Sequence, residues 1–294
     1  MSIITNTGSR IGTVLDWGTD QLAKAKVPEP ALEAQLLLSQ ALRMKKLDLF
    51  LKKEKEVSKK TLVCFKKYIA LRCKRIPACY ILKNAQFYGL DLFIDKGALI
   101  PRPETELLVE EVIKAVNRWP LAVGRKEKKI LEIGVGSGGV VVALAKNINQ
   151  ASIIGTDISA KALRIARKNI KIHKVEKQVK LLRGGLFAKL KEKFDIIVSN
   201  PPYVSEKDYS KLQPEVGFEP KAALYGGKDG LDFYRKIIPQ ARYYLQPGGI
   251  LAFEIGYGQA NNIKAMLEKE KLFKHINVVK DYSGIERIIT AHMR

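Results

Sequence analysis

Four consecutive residues, Asn200-Pro201-Pro202-Tyr203, follow the apolar run Phe194-Asp-Ile-Ile-Val-Ser199, and their types can do chemistry together. Two successive prolines fix backbone dihedrals and remove two N–H donors, which leaves carbonyl groups free to accept hydrogen bonds. Such a rigid set of acceptors suits an NH2 group. A planar amide or amino nitrogen is a poor nucleophile because its lone pair is delocalised. If the Asn200 side-chain oxygen and the Pro201 carbonyl each accept one of its hydrogens, the nitrogen is aimed at a methyl carbon and its developing positive charge meets fixed dipoles. Tyr203 would pack on the flat substrate group. A turn that merely follows a strand seldom needs this sequence at such a point.

A second group of residues is built for close backbone approach. Ile130-Leu-Glu-Ile-Gly-Val-Gly-Ser-Gly-Gly139 is an apolar strand that runs into a glycine turn opening a helix. Two ligands fit this segment. Gly134, Gly136 and Gly139 satisfy the dinucleotide spacing G-x-G-x-x-G, whereas Glu132, Gly134, Gly136 and Gly138 satisfy the acidic-x-G-x-G-x-G spacing of S-adenosylmethionine enzymes. Asp157 ends the next strand about twenty residues on, where a carboxylate can accept hydrogen bonds from ribose hydroxyls under either reading. Ser159 is better placed than Asp157 to cap the helix that follows. A nicotinamide-dependent dehydrogenase would leave Asn200–Tyr203 unexplained.

These residues need a scaffold that brings strand ends together. From Glu104 onward, strands are expected at 129–133, 152–156, 179–182, 194–199, 249–255, 275–280 and 287–290, with helices at 104–117, 139–147, 160–173, 229–245 and 259–268. A loop is expected over 120–128. The fold class is α/β: a seven-stranded, doubly wound, Rossmann-like sheet of five βα units and two closing strands, with its ligand site at the carboxyl ends of the strands. Apolar residues at helical spacing across 11–44 and 62–75 indicate a small helical domain at 1–76, with Pro28 and Pro30 preceding a helix that begins near Ala31. Residues 77–103 alternate and are aromatic, as a hairpin linker would be, and 104–294 form the catalytic domain.

Composition narrows the class further. The 294 residues are 46% hydrophobic and 28% charged, which excludes collagen-like, disordered and disulfide-scaffold chains. No leader-like N-terminal segment and no apolar run of about 18 residues occurs, so a cytoplasmic protein with no membrane association is expected. Cys64, Cys73 and Cys79 lack paired spacing, and His173, His275 and His292 are scattered, so no metal site is expected. The net charge of +22 is concentrated in residues 45–75, where twelve Lys/Arg face Asp48, Glu54 and Glu56. That stretch suits either a solvated face or a docking surface.

The combination resembles class I S-adenosylmethionine-dependent methyltransferases with an Asn-Pro-Pro-Tyr motif. Three further segments narrow the resemblance to the peptide chain release factor N5-glutamine methyltransferases: Leu99-Ile-Pro-Arg-Pro-Glu-Thr-Glu106, Phe218-Glu-Pro-Lys-Ala-Ala-Leu-Tyr-Gly-Gly-Lys-Asp-Gly-Leu231 and Lys280-Asp-Tyr-Ser-Gly-Ile-Glu-Arg287. The resemblance runs from about Arg75 to the C-terminus, and the N-terminal domain agrees in kind and size. It implies methyl transfer from S-adenosylmethionine, leaving S-adenosylhomocysteine, to the glutamine amide in the Gly-Gly-Gln loop of class I release factors. The partner is thus a protein, nucleic acid is not required, and a monomer is expected. By motif position, Glu132, Gly134, Val135, Gly136, Ser137, Gly138, Asp157, Leu186 and Asn200 would bind the cofactor. Asn200, Pro201, Pro202 and Tyr203 would hold and activate the substrate amide, with Arg102 and Glu104 at the substrate entrance, although acidic residues also favour a helix start on their own account. The N-terminal domain would dock the substrate.

Two positions depart from that pattern. Gly185 stands where the family usually carries an acid that contacts the adenine amino group, which would weaken cofactor affinity by about 1 kcal/mol unless a neighbour or water substitutes. Leu186 should still pack on the adenine. Asn84 stands where a linker glycine is usual, which affects only that turn. Two other readings stay open: an amino-methyltransferase acting on DNA or ribosomal RNA, which the charge favours and which normally needs a target-recognition domain, and a methyltransferase fold kept only as a basic binding module.

Overall fold

The computed structural model describes residues 9–118, 127–188 and 190–294. Most of the loop expected at 120–128 lies outside the described residues, as does the start of the N-terminal segment. The chain divides into two units, one of residues up to Lys83 together with Gln213–Phe218, the other of Asn84–Leu212 and Glu219–Arg294.

The first unit is helical: α1 (Ile11–Lys24), α2 (Pro30–Leu42), α3 (Lys46–Leu51), α4 (Lys59–Cys73) and α5 (Ala78–Leu82). Pro30 sits in the first turn of α2, where its missing N–H costs nothing. Ser58 caps α4 by accepting the Thr61 N–H at 3.2 Å. The apolar stripes meet in one core that includes Ile11, Val14, Leu22, Leu37, Leu38, Leu62, Phe65 and Ile69. Two features differ from the sequence reading. Residues 46–51, within the basic stretch, form a short helix, and Ala78–Leu82, within the expected linker, is helical too. The excursion 213–218 brings Glu215 to Arg75, whose Nε donates to Oε1 at 2.6 Å and Nη2 to Oε2 at 2.7 Å. Burial pushes the Glu215 carboxyl up, but Arg75 and Arg72 outweigh it and hold it at about 2.

The second unit opens with a hairpin, β1 (Asn84–Phe87) and β2 (Leu90–Phe93), joined at Tyr88-Gly89, both in the left-handed region. Then follow α6 (Glu104–Arg118), β3 (Lys128–Ile133), α7 (Gly139–Asn147), β4 (Ala151–Asp157), α8 (Ala160–Ile172), β5 (Val179–Arg183), β6 (Phe194–Ser199), α9 (Glu206–Tyr209), α10 (Asp232–Tyr244), β7 (Leu245–Glu254), α11 (Ala260–Lys269), β8 (Phe273–Lys280) and β9 (Glu286–Met293). The seven strands stand in the order β5-β4-β3-β6-β7-β9-β8, parallel except for β9, which runs antiparallel to both neighbours. The order reverses between β3 and β6, so the crevice of a doubly wound sheet opens there.

The four helices expected between strands at 139–147, 160–173, 229–245 and 259–268 are all present as α7, α8, α10 and α11, so the βα units number four and not five. Between β5 and β6 the described residues form turns and no helix, because Gly184 and Gly185 are followed by a tight turn closed by Ala188 N–H to Gly185 O at 2.9 Å. β7 starts four residues before the expected 249. Gln246-Pro-Gly-Gly reads as a turn, yet it is the irregular start of the strand, where the register against β6 shifts between Phe194 and Ile196.

Candidate active site

Strand β3 ends in Ile133, and Gly134, Gly136 and Gly138 all take positive φ (+80°, +56° and +86°), so the chain turns from strand to helix within five residues. A Cβ on Gly134 or Gly136 would meet nothing within 4 Å, because both face an open cavity. Gly138 differs. It does not line the cavity; it stands at the N-cap of α7 and packs against Ala166 of α8, which a Cβ would approach to 3.0 Å. Gly138, expected at the cofactor, is thus placed against α8 and not on the cavity wall.

The loop is held from below. Gly134 and Val135 donate to Thr156 O at 2.8 and 3.1 Å, and Gly136 N–H donates to Asp157 Oδ2 at 2.9 Å. Asp157 Oδ1 takes the Ser159 N–H at 2.7 Å, while Ser159 caps α8. Burial raises the Asp157 carboxyl and these N–H donors pull it back only in part. Glu132 is 3% exposed, with Oε2 lacking any hydrogen-bond partner, and burial raises its carboxyl strongly despite the Val141 N–H. One residue escaped the sequence reading. Asn169, fully buried on α8, donates to Ser137 O at 2.8 Å and exchanges hydrogen bonds with the Phe93 backbone (2.7 and 2.9 Å), tying hairpin to glycine loop.

Strand β6 delivers Asn200, Pro201 and Pro202 to the same cavity. It encloses about 370 Å³ and is walled also by Arg102, Thr105, Asp157, Leu186 and Phe233. The segment after the prolines wraps tightly around them. Val204 bridges Tyr225, Gly226 N–H donates to Val204 O at 2.9 Å, and a Cβ on Gly226 would stand 2.5 Å from Pro202 O. A Cβ on Gly230 would stand 2.3 Å from Tyr203 O. Only glycine allows backbone to pass so near backbone.

Tyr203 is not a wall of the cavity. Its hydroxyl donates to Glu254 Oε1 at 3.1 Å, and burial followed by the Glu254 charge raises the phenol well above its usual range. The ring, expected to pack on the substrate, thus stands off the cavity wall with its hydroxyl in a partly buried hydrogen bond, which a Tyr in an Asn-Pro-Pro-Tyr string cannot reveal by itself. Arg102 lines the cavity, yet its guanidinium is bonded to the buried Glu219, whose other oxygen accepts the Ile100 N–H at 2.9 Å. Glu104 opens α6 and does not line the cavity, whereas Glu106 accepts the Tyr88 N–H at 2.7 Å and fixes the hairpin turn.

Leu186 sits at φ +48° beside Gly184 and Gly185, with its carbonyl bonded to Thr156 Oγ1 at 3.1 Å. Its side chain is partly buried on the main core, and a Cβ on Gly185 would touch only Ile158, at 3.4 Å. That end of the cavity is thus apolar and roomy. Of the expected site residues, Glu132, Gly134, Val135, Gly136, Ser137, Asp157, Leu186, Asn200, Pro201, Pro202 and Arg102 converge on one cavity.

A family model described as "PrmC N-terminal domain" matches residues 13–82, and one described as "Methyltransferase small domain" matches residues 103–215. A release factor glutamine methyltransferase of Geobacter sulfurreducens is 42% identical over 281 residues, covering 95% of each chain. Its counterpart in Clostridium acetobutylicum is 38% identical over 88% of this chain and 90% of its own. The chain belongs to the release factor glutamine methyltransferase family. It is therefore an enzyme that transfers methyl groups, and the match spans both units. Solved structures agree on the fold alone: a methyltransferase from Pyrococcus furiosus superposes with a TM-score of 0.51 at 22% identity (69% of this chain, 89% of that one), and a Thermus thermophilus 16S rRNA N2 methyltransferase in complex with AdoMet and guanosine gives 0.50 at 18% (72% and 50%).

Proposed function

We propose that this chain methylates the side-chain amide nitrogen (N5) of the glutamine in the Gly-Gly-Gln loop of class I peptide chain release factors, with S-adenosylmethionine as methyl donor. One observation carries the reading: a member of this family places Asn200-Pro201-Pro202 and the Glu132–Ser137 loop on the walls of one cavity. The residues present fit such a donor. The unpartnered Glu132 Oε2 and the open glycine backbone suit a charged amino-acid end, Asp157 suits ribose hydroxyls, and the apolar pocket at Leu186 and Gly185 suits a flat base.

When bound, S-adenosylmethionine supplies a methyl group on a positively charged sulfur. The chain's own residues do the rest. Asn200 Oδ1 and the Pro201 carbonyl accept the two hydrogens of the glutamine NH2, hold its nitrogen in line, and stabilise the positive charge that grows there. Pro201 and Pro202, having no N–H, offer the amide nitrogen no competing donor. Phe233, Pro220 and Ala223 give the cavity apolar walls that exclude water around these acceptors. The products are S-adenosylhomocysteine and the N5-methylated amide, whose nitrogen gives up one proton to solvent once the methyl group has moved. The helical unit at 1–76 docks the protein substrate through the basic stretch, where Leu47, Phe50, Leu51 and Val63 are exposed among the lysines. The enzyme works as a cytoplasmic monomer; among the described residues no helix is long and apolar enough to cross a membrane.

The test is transfer of a labelled methyl group to three acceptors in parallel: a release factor, the same factor with its Gly-Gly-Gln glutamine replaced, and DNA plus ribosomal RNA. Label on the intact factor alone is the expected result. Label on nucleic acid would move the assignment to the amino-methyltransferases of bases, and calorimetric absence of S-adenosylmethionine binding would leave a basic binding module.

A further inference from the structure

Strand β7 ends in Glu254, a carboxylate 1% exposed in an otherwise apolar segment, Leu251-Ala-Phe-Glu-Ile255. Nothing in the methyl-transfer reading uses it. A buried carboxylate is costly unless its oxygens are satisfied, so its partners show what it is for. Thr105 Oγ1 donates to Oε2 at 2.6 Å and Tyr203 OH donates to Oε1 at 3.1 Å. Asn200 Nδ2 in turn lies 3.1 Å from Thr105 Oγ1.

The direction of each bond follows from donor chemistry. An ionised carboxylate only accepts, so the single Thr105 hydrogen points at Glu254. The Thr105 oxygen then offers Asn200 only a lone pair, and the amide must turn its NH2 toward Thr105. Its oxygen is left as the end of the amide that Thr105 does not hold, on a residue that lines the cavity. Without this chain the two ends of an asparagine amide are nearly equal in shape, and nothing in Asn200 itself selects acceptor over donor.

We infer that Glu254, acting through Thr105, is a positioning residue that sets the amide orientation of Asn200 and thereby makes its oxygen the acceptor of the substrate NH2. This rests on the proposed role of Asn200. Tyr203 completes the device by holding the second carboxylate oxygen, which gives the tyrosine of the motif a purpose away from substrate.

Protonation undoes the arrangement. A neutral Glu254 carries a hydrogen that needs an acceptor of its own, and Thr105 Oγ1 at 2.6 Å is nearer than the Tyr203 hydroxyl at 3.1 Å. Thr105 then accepts from Glu254, its own hydrogen faces the Asn200 NH2, and the amide inverts. The groups around Glu254 are Thr105 and Glu104 on α6, Tyr203 after β6, Arg287 on β9, and Tyr234 on α10, whose hydroxyl bonds the Glu254 backbone oxygen at 2.8 Å. Burial pushes the Glu254 carboxyl up; the Thr105 and Tyr203 hydroxyls lower it, Glu104 raises it and Arg287 lowers it, leaving it at about 7. Methyl transfer therefore falls as pH drops through about 7.

Two readouts test the inference with the full-length enzyme. In protein labelled with 15N at asparagine, the Asn200 side-chain amide resonances, assigned by their loss in Asn200→Ala, shift with a midpoint near pH 7, and Thr105→Val and Glu254→Gln abolish that titration. In steady-state methylation of a release factor, Thr105→Val lowers kcat about tenfold, as expected for a misdirected acceptor, with KM for S-adenosylmethionine changed less than twofold. Thr105→Ser restores kcat, and Glu254→Gln flattens the acid limb of the pH profile. Asn200 resonances indifferent to Thr105→Val, or a Thr105→Val enzyme with normal kcat, would overturn the inference. A wild-type enzyme with no transfer to the factor would refute the proposed reaction, while the resonances still decide whether the relay orients Asn200.

Discussion

Replacing Asn200 with alanine separates what the residue does for folding from what it does for the reaction. The variant loses one hydrogen bond in the folded state, from Nδ2 to Thr105 Oγ1 at 3.1 Å. That bond contributes about 1 kcal/mol, which for a chain of this size lowers Tm by about 2–4 °C. The larger effect is on turnover. Removing a fixed acceptor aimed at developing charge costs roughly a hundredfold in kcat, about 2.7 kcal/mol, because the amide nitrogen carries little positive charge until the methyl group begins to move. Single-turnover methylation of a release factor at saturating S-adenosylmethionine reads the chemical step, and calorimetry reads cofactor affinity separately. The expected pattern is a large fall in rate, a change in cofactor affinity of less than threefold by the tenfold-per-1.4 kcal/mol rule, and an intact thermal transition. A near-normal single-turnover rate would refute the reasoning. A fall in rate matched by an equal loss of cofactor binding would place Asn200 with the cofactor alone.

Three further outcomes follow from the geometry. The Glu254 carboxyl holds its proton to about 7 in the folded chain against an ordinary 4.5, so the folded state binds more protons between these values. This contribution to stability is complete below about 4.5 and lost as pH rises through about 7, by at most about 3 kcal/mol, and urea denaturation should show the decline in wild type and not in Glu254→Gln. Gly226→Ala pushes a methyl group to 2.5 Å from Pro202 O, so it should cut kcat at least tenfold while S-adenosylmethionine affinity, read by calorimetry, holds. Charge reversal at Lys52, Lys53, Lys59 and Lys60 should raise KM for the whole release factor and reduce its salt dependence, with a free Gly-Gly-Gln peptide methylated as before; equal loss on both substrates would mean misfolding.

Local spacing revealed the site where the site is made of neighbours. The glycine loop and the Asn-Pro-Pro string are each continuous in sequence, each ends a strand, and the parallel order β4-β3-β6 brings those ends together. Thr105 and Glu254 were invisible because each looks ordinary in place. Thr105 reads as part of an acidic helix start and Glu254 as a polar interruption of a strand, and they lie 149 residues apart. The bond from Tyr203 to Glu254 is hidden for the same reason, since its acceptor comes from β7. By spacing Gly138 groups with its loop neighbours, although its nearest contact is Ala166 of α8. The helix-free connection between β5 and β6 is legible too, since Arg183-Gly-Gly carries no helical spacing and no helix is expected over 183–193.

The excursion of Gln213–Phe218 into the helical unit has a consequence for how the chain is made. Arg75 is synthesised 140 residues before Glu215, its carboxylate partner. At a ribosomal rate of 5–20 residues per second, that gap lasts roughly 7 to 30 s. For that interval the nascent helical unit has Glu33 against Arg72, through bonds at 3.1 and 3.4 Å, but no acid against Arg75. The N-terminal unit therefore starts first and is completed only after β6 and the Asn-Pro-Pro string have left the ribosome.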